Sequence, residues 1–177
     1  MGDIYKMRSA TLILLLALGA SAQSAGGLRW TAPSGWTSQG PTPARAATYK
    51  ITPAPGDADT AECVVYVLGG EGGDAQANID SWAGQFKAPG DKPATPRIAK
   101  KTIHGLSVTT LDVSGEYSGL SAGPMAGLAP PQPGYRMLAA IIGNPGGNVF
   151  LRLTGQQKTV AANQVRFEQL LKSIEKE

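Results

Sequence analysis

Cysteine and histidine are nearly missing from this chain of 177 residues, which contains one of each, Cys63 and His104. A single cysteine excludes an internal disulfide, and its position far from the N-terminus excludes a lipid-attachment cysteine there. A single histidine excludes zinc sites built from two or three imidazoles. The formal net charge is only +3, which gives no argument for binding to nucleic acid. We therefore expect no metal, no cofactor and no nucleic-acid partner.

A long apolar run is also lacking, because the N-terminal one extends only from Ala10 to about Ala20. This is well short of the roughly 20 apolar residues that span a bilayer. Basic Lys6 and Arg8 precede the run, and the small residues 20–22 follow it, which is the three-part layout of a secretory signal peptide. We expect residues 1–22 to be removed, leaving no transmembrane segment, and the protein to be exported to the periplasm or the medium. Met7 is an alternative start.

The remaining residues, 23–177, have the composition of a single globular domain. Removal of residues 1–22 takes away two of the 16 basic and one of the 13 acidic side chains, which leaves 14 and 12. Hydrophobic residues make up 42% of the chain and charged residues 16%, an ordinary globular balance. The 23 glycines and 13 prolines favour strands joined by turns over a helical bundle.

A strand, a glycine turn and an amphipathic helix follow one another between residues 62 and 86. Residues 63–68 are apolar at every position, which predicts a central strand covered on both faces, with Cys63 a buried free thiol. The helix is predicted to begin after the N-cap Asp74 and to end near Phe86. Its buried stripe consists of residues at i, i+3, i+4 and i+7: Ile79, Trp82, Ala83 and Phe86.

Further strands are predicted from alternation and turn chemistry, over residues 47–51, 97–103, 106–117, 135–142 and 149–153. Short turns join the last four into two hairpins. The apolar residues of 106–117 change parity part-way, which predicts a bulge near Thr109. A helix from about Thr159 to Lys176 closes the chain. The sequence thus predicts an α+β fold, with a mainly antiparallel sheet of about six or seven strands covered by two helices.

Two structural motifs carry a resemblance to a known family. A W-x-x-P-x-x-W opening (Trp30, Pro33, Trp36) begins the domain, and the last long strand ends in Thr154-Gly155 before the terminal helix. With the sheet between them, these features resemble the PsbP/Mog1-type α/β/α sandwich. Residues 77–86 are similar to a run in uncharacterised secreted bacterial proteins of that layout. The resemblance implies a binding or accessory role, and it supplies no catalytic residues.

Two clusters suggest ligand chemistry only superficially. The glycine-rich turn 69–73 precedes a helix, but it lacks both the dinucleotide and the P-loop patterns, and Glu71 and Asp74 would repel an anion. Asp57, Asp59 and Glu62 lack the spacing and the glycine of an EF-hand loop. We interpret the first as a connector and the second as a solvated acidic turn.

An enzymatic alternative depends on three residues. Asp112 and Glu116 share one face of a predicted strand, and paired carboxylates can act as acid and base. His104 is the one imidazole available to a nucleophile, although a hairpin tip is a poor place for such a base. A small hydrolase built on these residues is thus the alternative to a non-enzyme, and a solvated sheet edge with a turn histidine is the structural explanation.

The uncharged loop 118–134 contains four glycines and four prolines and is the predicted contact surface. Its apolar members and the tyrosines that flank it form the predicted binding set: Tyr117, Leu120, Met125, Leu128 and Tyr135. The interpretation of the whole chain is a secreted or periplasmic, non-enzymatic binding or accessory protein. Its expected partner is a protein or another envelope component, and a structural envelope component is a further alternative.

Overall fold

The computed structural model describes residues 22–68, 74–119 and 130–177. These residues form twelve strands and three helices. The strands are β1 (Ala22–Ala25), β2 (Leu28–Thr31), β3 (Thr37–Ser38), β4 (Ala47–Ile51), β5 (Ala61–Leu68), β6 (Phe86–Ala88), β7 (Lys92–Pro93), β8 (Arg97–Ile103), β9 (Leu106–Tyr117), β10 (Gln132–Gly143), β11 (Asn148–Gln156) and β12 (Glu175–Lys176). The helices are α1 (Ala75–Ala83), α2 (Gln157–Ala162) and α3 (Gln164–Lys172).

Nine of these strands form one antiparallel sheet, in the order β3-β4-β5-β11-β10-β9-β6-β7, with β8 also paired to β9. A second, three-stranded sheet has the order β1-β2-β12. The α+β class and the antiparallel pairing agree with the sequence prediction, but six or seven strands and two helices were too few. The strands that sequence analysis did not find include β3, β6 and β7, which have only two or three residues each and therefore show no readable alternation.

The predicted central strand is confirmed as β5, which lies between β4 and β11. Cys63 and Val65 are buried on one face of the sheet, and Tyr66 packs against the cluster on the other. Burial raises the pKa of the Cys63 thiol, as expected for a buried free cysteine.

Each face of the large sheet has its own hydrophobic core. Helices α2 and α3, together with β2 and Trp36, cover one face, which we call the helix-pair face. Helix α1 covers the other, the α1 face, through Ile79 and Trp82. Trp82 meets the Phe150 ring of β11 edge-on at 6.0 Å between centroids.

The change of parity along β9 has a different cause from the predicted bulge. Pairing of β9 with β8 and β10 runs without a break through Thr109, so that prediction is wrong. Leu106 and Val108 instead belong to the core of the helix-pair face, and Leu111 and Val113 to the core of the α1 face. The two halves of this strand bury opposite faces because helices cover different parts of the sheet.

Helix α1 is shorter than predicted. It ends at Ala83, and Phe86 begins β6, where it pairs with Tyr117 of β9. Phe86 is nevertheless buried in the same core as Ile79 and Trp82. The stripe was therefore identified correctly, although its last residue belongs to a strand. Asp74 occupies the N-cap position without a side-chain capping hydrogen bond.

The closing helix is divided, contrary to the single helix predicted over 159–176. Asn163, with φ −106° and ψ 4°, separates α2 from α3, and residues 175–176 form β12. The predicted stripe is buried throughout: Val160, Phe167, Leu170, Leu171 and Ile174. Both predicted hairpins are present, and the β8–β9 turn places His104 and Gly105 at φ 47° and 77°, the left-handed region that such turns require.

Candidate functional site

A polar cavity of ≈ 490 Å³ lies on the α1 face, where α1 leaves part of the sheet uncovered. Its floor and walls come from β4, β5 and β11, with the last residue of β9 and the start of β10 at one side. The lining residues are Arg45, Lys50, Thr60, Glu62, Val64, Tyr66, Gln85, Tyr117, Tyr135, Arg152, Thr154 and Gly155. This volume is within the range of small-ligand sites.

Stacked aromatic rings form one side of this cavity. Tyr117 and Tyr135 stack with 5.7 Å between centroids and an interplanar angle of 9°. Phe86 packs against Tyr117 with a tilt of 37° between the rings and 4.9 Å between their centroids. The register between β9 and β10 shifts between Gln132 and Tyr135, and this irregularity accompanies the juxtaposition of the two tyrosines.

The Arg152 guanidinium is held between these rings and α1. Its Cζ lies 5.4 Å from the centroid of the Trp82 ring. Its Nη2 donates to Gln85 Oε1 and to Tyr117 Oη, both at 3.3 Å. Its Nε is buried with no hydrogen-bond partner among the described residues. No Asp or Glu of residues 22–68, 74–119 and 130–177 forms a salt bridge with it.

The opposite wall of the cavity carries a charge cluster that is largely compensated. Glu62 Oε1 forms salt bridges with both Arg45 Nη1 and Lys50 Nζ, each at 3.2 Å. With Arg152, the described lining residues include three cationic groups and one carboxylate, and the Asp59 carboxylate lies beside Tyr135. The excess of positive charge indicates an anionic ligand.

Tyr135 is the second polar anchor of the cavity. Burial and a hydrogen bond to the nearby Asp59 carboxylate raise the pKa of its phenol. The phenol therefore keeps its proton near neutral pH, where it can donate a hydrogen bond.

Of the predicted binding set, the structure brings together Tyr117 and Tyr135. Leu120, Met125 and Leu128 lie outside the described residues, as does the glycine turn 69–73. Sequence reasoning missed Arg152, although a signal was present: this arginine interrupts the otherwise apolar strand 149–153. A charge within a central strand is unusual unless it has a partner or a ligand.

The structure does not bring the residues of the hydrolase alternative into one pocket. Asp112 accepts hydrogen bonds from Arg136 Nε and Nη2 at 2.8 and 2.9 Å, and from Arg97 Nη2 at 2.6 Å. Burial alone would raise the pKa of Asp112, but these arginines hold it below its usual range. Glu116 lines a different cavity, beside Lys87 and Asp91, from the one that Asp112 borders.

His104 and the acidic turn have structural roles. The ring Nδ1 of His104 lies 2.8 Å from the Ile174 carbonyl oxygen, which joins the β8–β9 turn to the C-terminal segment. Asp57 Oδ2 accepts from the amide and the hydroxyl of Thr159, both at 2.7 Å, and so caps the first turn of α2. Among the described residues, no three His, Cys, Asp or Glu side chains converge as metal ligands would.

Comparison with solved structures identifies the architecture. The solution structure of cyanobacterial PsbP (CyanoP) from Synechocystis sp. PCC 6803 matches with a TM-score of 0.50 and 14% identity, over 90% of this chain and 95% of that one. The chain has a PsbP/Mog1-like fold.

A second structure of similar layout is PA94 from Pseudomonas aeruginosa, a protein of unknown function, with a TM-score of 0.49, 14% identity and coverage of 86% of this chain and 94% of that one. No protein-family model and no curated protein matches the chain. At such identities the PsbP/Mog1 likeness concerns the fold, and the site must be argued from its own residues. None of the three described helices combines the length and apolar composition that a bilayer crossing requires.

Proposed function

We propose that this protein is an exported, non-enzymatic binding or accessory protein, and that it contacts its partner at the tyrosine and arginine cavity of the α1 face. The observation that carries the proposal is the Arg152 guanidinium, which lines an open cavity without a carboxylate partner among the described residues. A half-buried charge of this kind costs free energy in the isolated protein, and a ligand that supplies the missing acceptor recovers it.

The candidate catalytic groups already have hydrogen-bond partners within the protein, which supports a binding role over hydrolysis. Asp112 is engaged by two arginines, and His104 contacts a backbone carbonyl at a hairpin end. A general acid or base needs a free proton site within reach of substrate, which these contacts do not favour. Export is supported by the N-terminal signal layout, and the partner is expected among proteins or other components of the envelope.

Site-specific photo-crosslinking in the producing cell tests the proposal. A photoreactive phenylalanine analogue replaces Tyr135, which lines the cavity, and in a control protein it replaces Val165, which is 65% exposed on α3 across the sheet. We expect a discrete adduct from position 135 and none from position 165. An adduct from position 165 alone, or from neither position, would refute contact of a macromolecular partner at the cavity.

A further inference from the structure

The chemistry of the lining residues restricts the class of ligand that the cavity can bind. We infer that the Arg152 guanidinium binds a carboxylate attached to an apolar, preferably aromatic, body that lies against the stacked rings of Tyr117 and Tyr135. This inference rests on the proposed function, because it specifies the chemical class of ligand for the same site.

The contacts of Arg152 favour an anionic ligand. Both hydrogen bonds that its Nη2 makes are to neutral oxygens at 3.3 Å, the long end of the range for N–H···O. Its Nε also has no partner among the described residues, but this atom is buried, so a ligand in the cavity would meet the guanidinium at its Nη groups. Trp82 behind the guanidinium supplies a ring face but no counter-charge. Arginine binds planar oxyanions through its fork of donors, so an external oxyanion completes the coordination that the described chain leaves unfinished.

The surroundings favour a carboxylate over a phosphate. Phosphate sites draw on several backbone N–H groups at a helix N-terminus or a turn. Here the lining residues of β4, β5 and β11 lie within paired strands, whose amides belong to the sheet ladders. Arg45 and Lys50 share Glu62, which leaves Arg152 as the lining cation that has no carboxylate partner within residues 22–68, 74–119 and 130–177. The planar fork of one guanidinium matches the two oxygens of a carboxylate.

The tyrosine rings of the cavity indicate the chemistry of the uncharged part of the ligand. Tyr66, Tyr117 and Tyr135 all line the cavity, and the rings of the last two are nearly parallel, with an interplanar angle of 9°. An aromatic group beside them gains stacking contact beyond the area it buries. The cavity of ≈ 490 Å³ has room for a carboxylic acid with one ring, or for the last residue of a peptide. Both sources present the same chemistry.

Phenylacetate is the first probe, and its neutral isostere phenylacetamide is the matched control. The titrations use ¹⁵N-labelled protein isolated from the producing cell, with the side-chain Nε–Hε resonance of Arg152 as readout. We expect saturable shifts of this resonance with phenylacetate, and binding of phenylacetamide at least about tenfold weaker because the charge-assisted hydrogen bond is lost. The tripeptide Gly-Gly-Phe, compared with its C-terminal amide, shows whether a peptide terminus is the source.

Variants of Arg152 and Arg166 distinguish a specific role of the Arg152 guanidinium from a general effect of positive charge. Arg152→Met should raise the Kd for phenylacetate by about tenfold or more, and Arg152→Lys should raise it less, because lysine keeps the charge but not the planar fork. Arg166→Met removes an exposed arginine of α3 and should leave the Kd unchanged. Should Arg152→Met fail to fold, Arg152→Lys and the wild-type resonance still provide the test.

The titrations can support or overturn a carboxylate site at Arg152. Saturable binding of phenylacetate or of the free tripeptide acid, lost in Arg152→Met, supports it. Binding by neither acid, binding that survives Arg152→Met, or tighter binding of inorganic phosphate than of either acid overturns it. An adduct at position 135 without carboxylate binding would leave the proposed function standing and reject only the carboxylate. Carboxylate binding without an adduct would leave the ligand class standing and reject a macromolecular partner at this face.

Discussion

The Trp36 indole Nε1 donates a hydrogen bond of 2.9 Å to Asn163 Oδ1, and both side chains are buried. Asn163 stands between α2 and α3, and its Nδ2 donates to the Thr159 carbonyl oxygen at 2.9 Å. One amide thus joins the N-terminal tryptophan to the interruption of the C-terminal helix pair. The two ends of the domain are therefore fixed to each other by a polar contact within an apolar core.

Replacement of Asn163 by leucine should lower the free energy of unfolding by about 1 to 3 kcal/mol. The substitution leaves the buried Trp36 N–H without an acceptor, and an unpaired buried donor costs its desolvation. Urea unfolding followed by tryptophan fluorescence measures the change. In a Trp36→Phe background the same substitution should lower the free energy of unfolding by less, because the indole N–H donor is absent. Equal costs in the two backgrounds would show that this hydrogen bond does not contribute to stability.

Trp82→Ala should destabilise the protein by about 3 to 5 kcal/mol, the scale for removing a large buried aromatic side chain. Trp82 is 8% exposed, meets Phe150 edge-on and underlies Arg152. Ser81→Ala, at an exposed neighbouring position of the same helix, is the control and should change little. A loss of less than about 1 kcal/mol for Trp82→Ala would mean that the ring does not belong to the core.

Much of the fold could be predicted because its longer elements carry strong patterns. The apolar run of β5, the β8–β9 and β10–β11 turns and the buried stripe of the C-terminal helices all encode their structure locally. The division at Asn163 could not be found, since the stripe continues through it and the deciding partner, Trp36, is distant in sequence. The parity change of β9 was visible in the sequence but was interpreted as a bulge. Its cause is the position of the helices on the two faces of the sheet, which is a tertiary property.

The site could be predicted only in part. Tyr117 and Tyr135 were chosen because they flank a long uncharged loop, and the structure stacks them beside a cavity. Arg152 was missed because its importance arises from what surrounds it: a tryptophan below, a glutamine and a phenol beside it, and no carboxylate among the described residues. Asp112 attracted attention as a carboxylate, yet the arginines that neutralise it come from β8 and β10. Pairing across strands is not readable along one strand.

Asp112 should make stability depend on pH in the acid range. Its pKa in the folded protein is lower than the ordinary value of 3.8, because Arg136 and Arg97 outweigh the effect of burial. The stabilisation is therefore present above that ordinary value and is lost as the pH falls through the lowered folded value. Asp112→Asn should be less stable than wild type at pH 7, and the difference should shrink below about pH 4.

Urea unfolding between pH 7 and pH 3 follows this difference, with Asp80→Asn, an exposed carboxylate of α1, as the control. A difference between wild type and Asp112→Asn that stays constant, or that grows towards acid, would contradict the assigned linkage.

Export should leave a mature protein that begins at Gln23. The Gln23 side chain accepts a hydrogen bond of 2.5 Å from the Tyr49 hydroxyl, so cleavage after Ala22 preserves this contact. N-terminal sequencing of protein from separated cell fractions measures both the cleavage point and the location. Protein found in the cytoplasm with Met1 or Met7 intact would reject the export prediction.

The central claim is that Arg152 contributes to ligand binding and not to the stability of the fold. A comparison of two arginine-to-methionine variants tests this claim most directly. Arg136 is 8% exposed and forms a bidentate pair with Asp112, so Arg136→Met should lower the free energy of unfolding by about 2 kcal/mol or more. Arg152→Met removes a guanidinium without a carboxylate partner in the described chain, and methionine retains much of the packing against Trp82. Urea unfolding of the free protein should show Arg152→Met within about 1 kcal/mol of wild type, or more stable. A loss for Arg152→Met as large as that for Arg136→Met would show that the guanidinium serves the fold, and would contradict the claim.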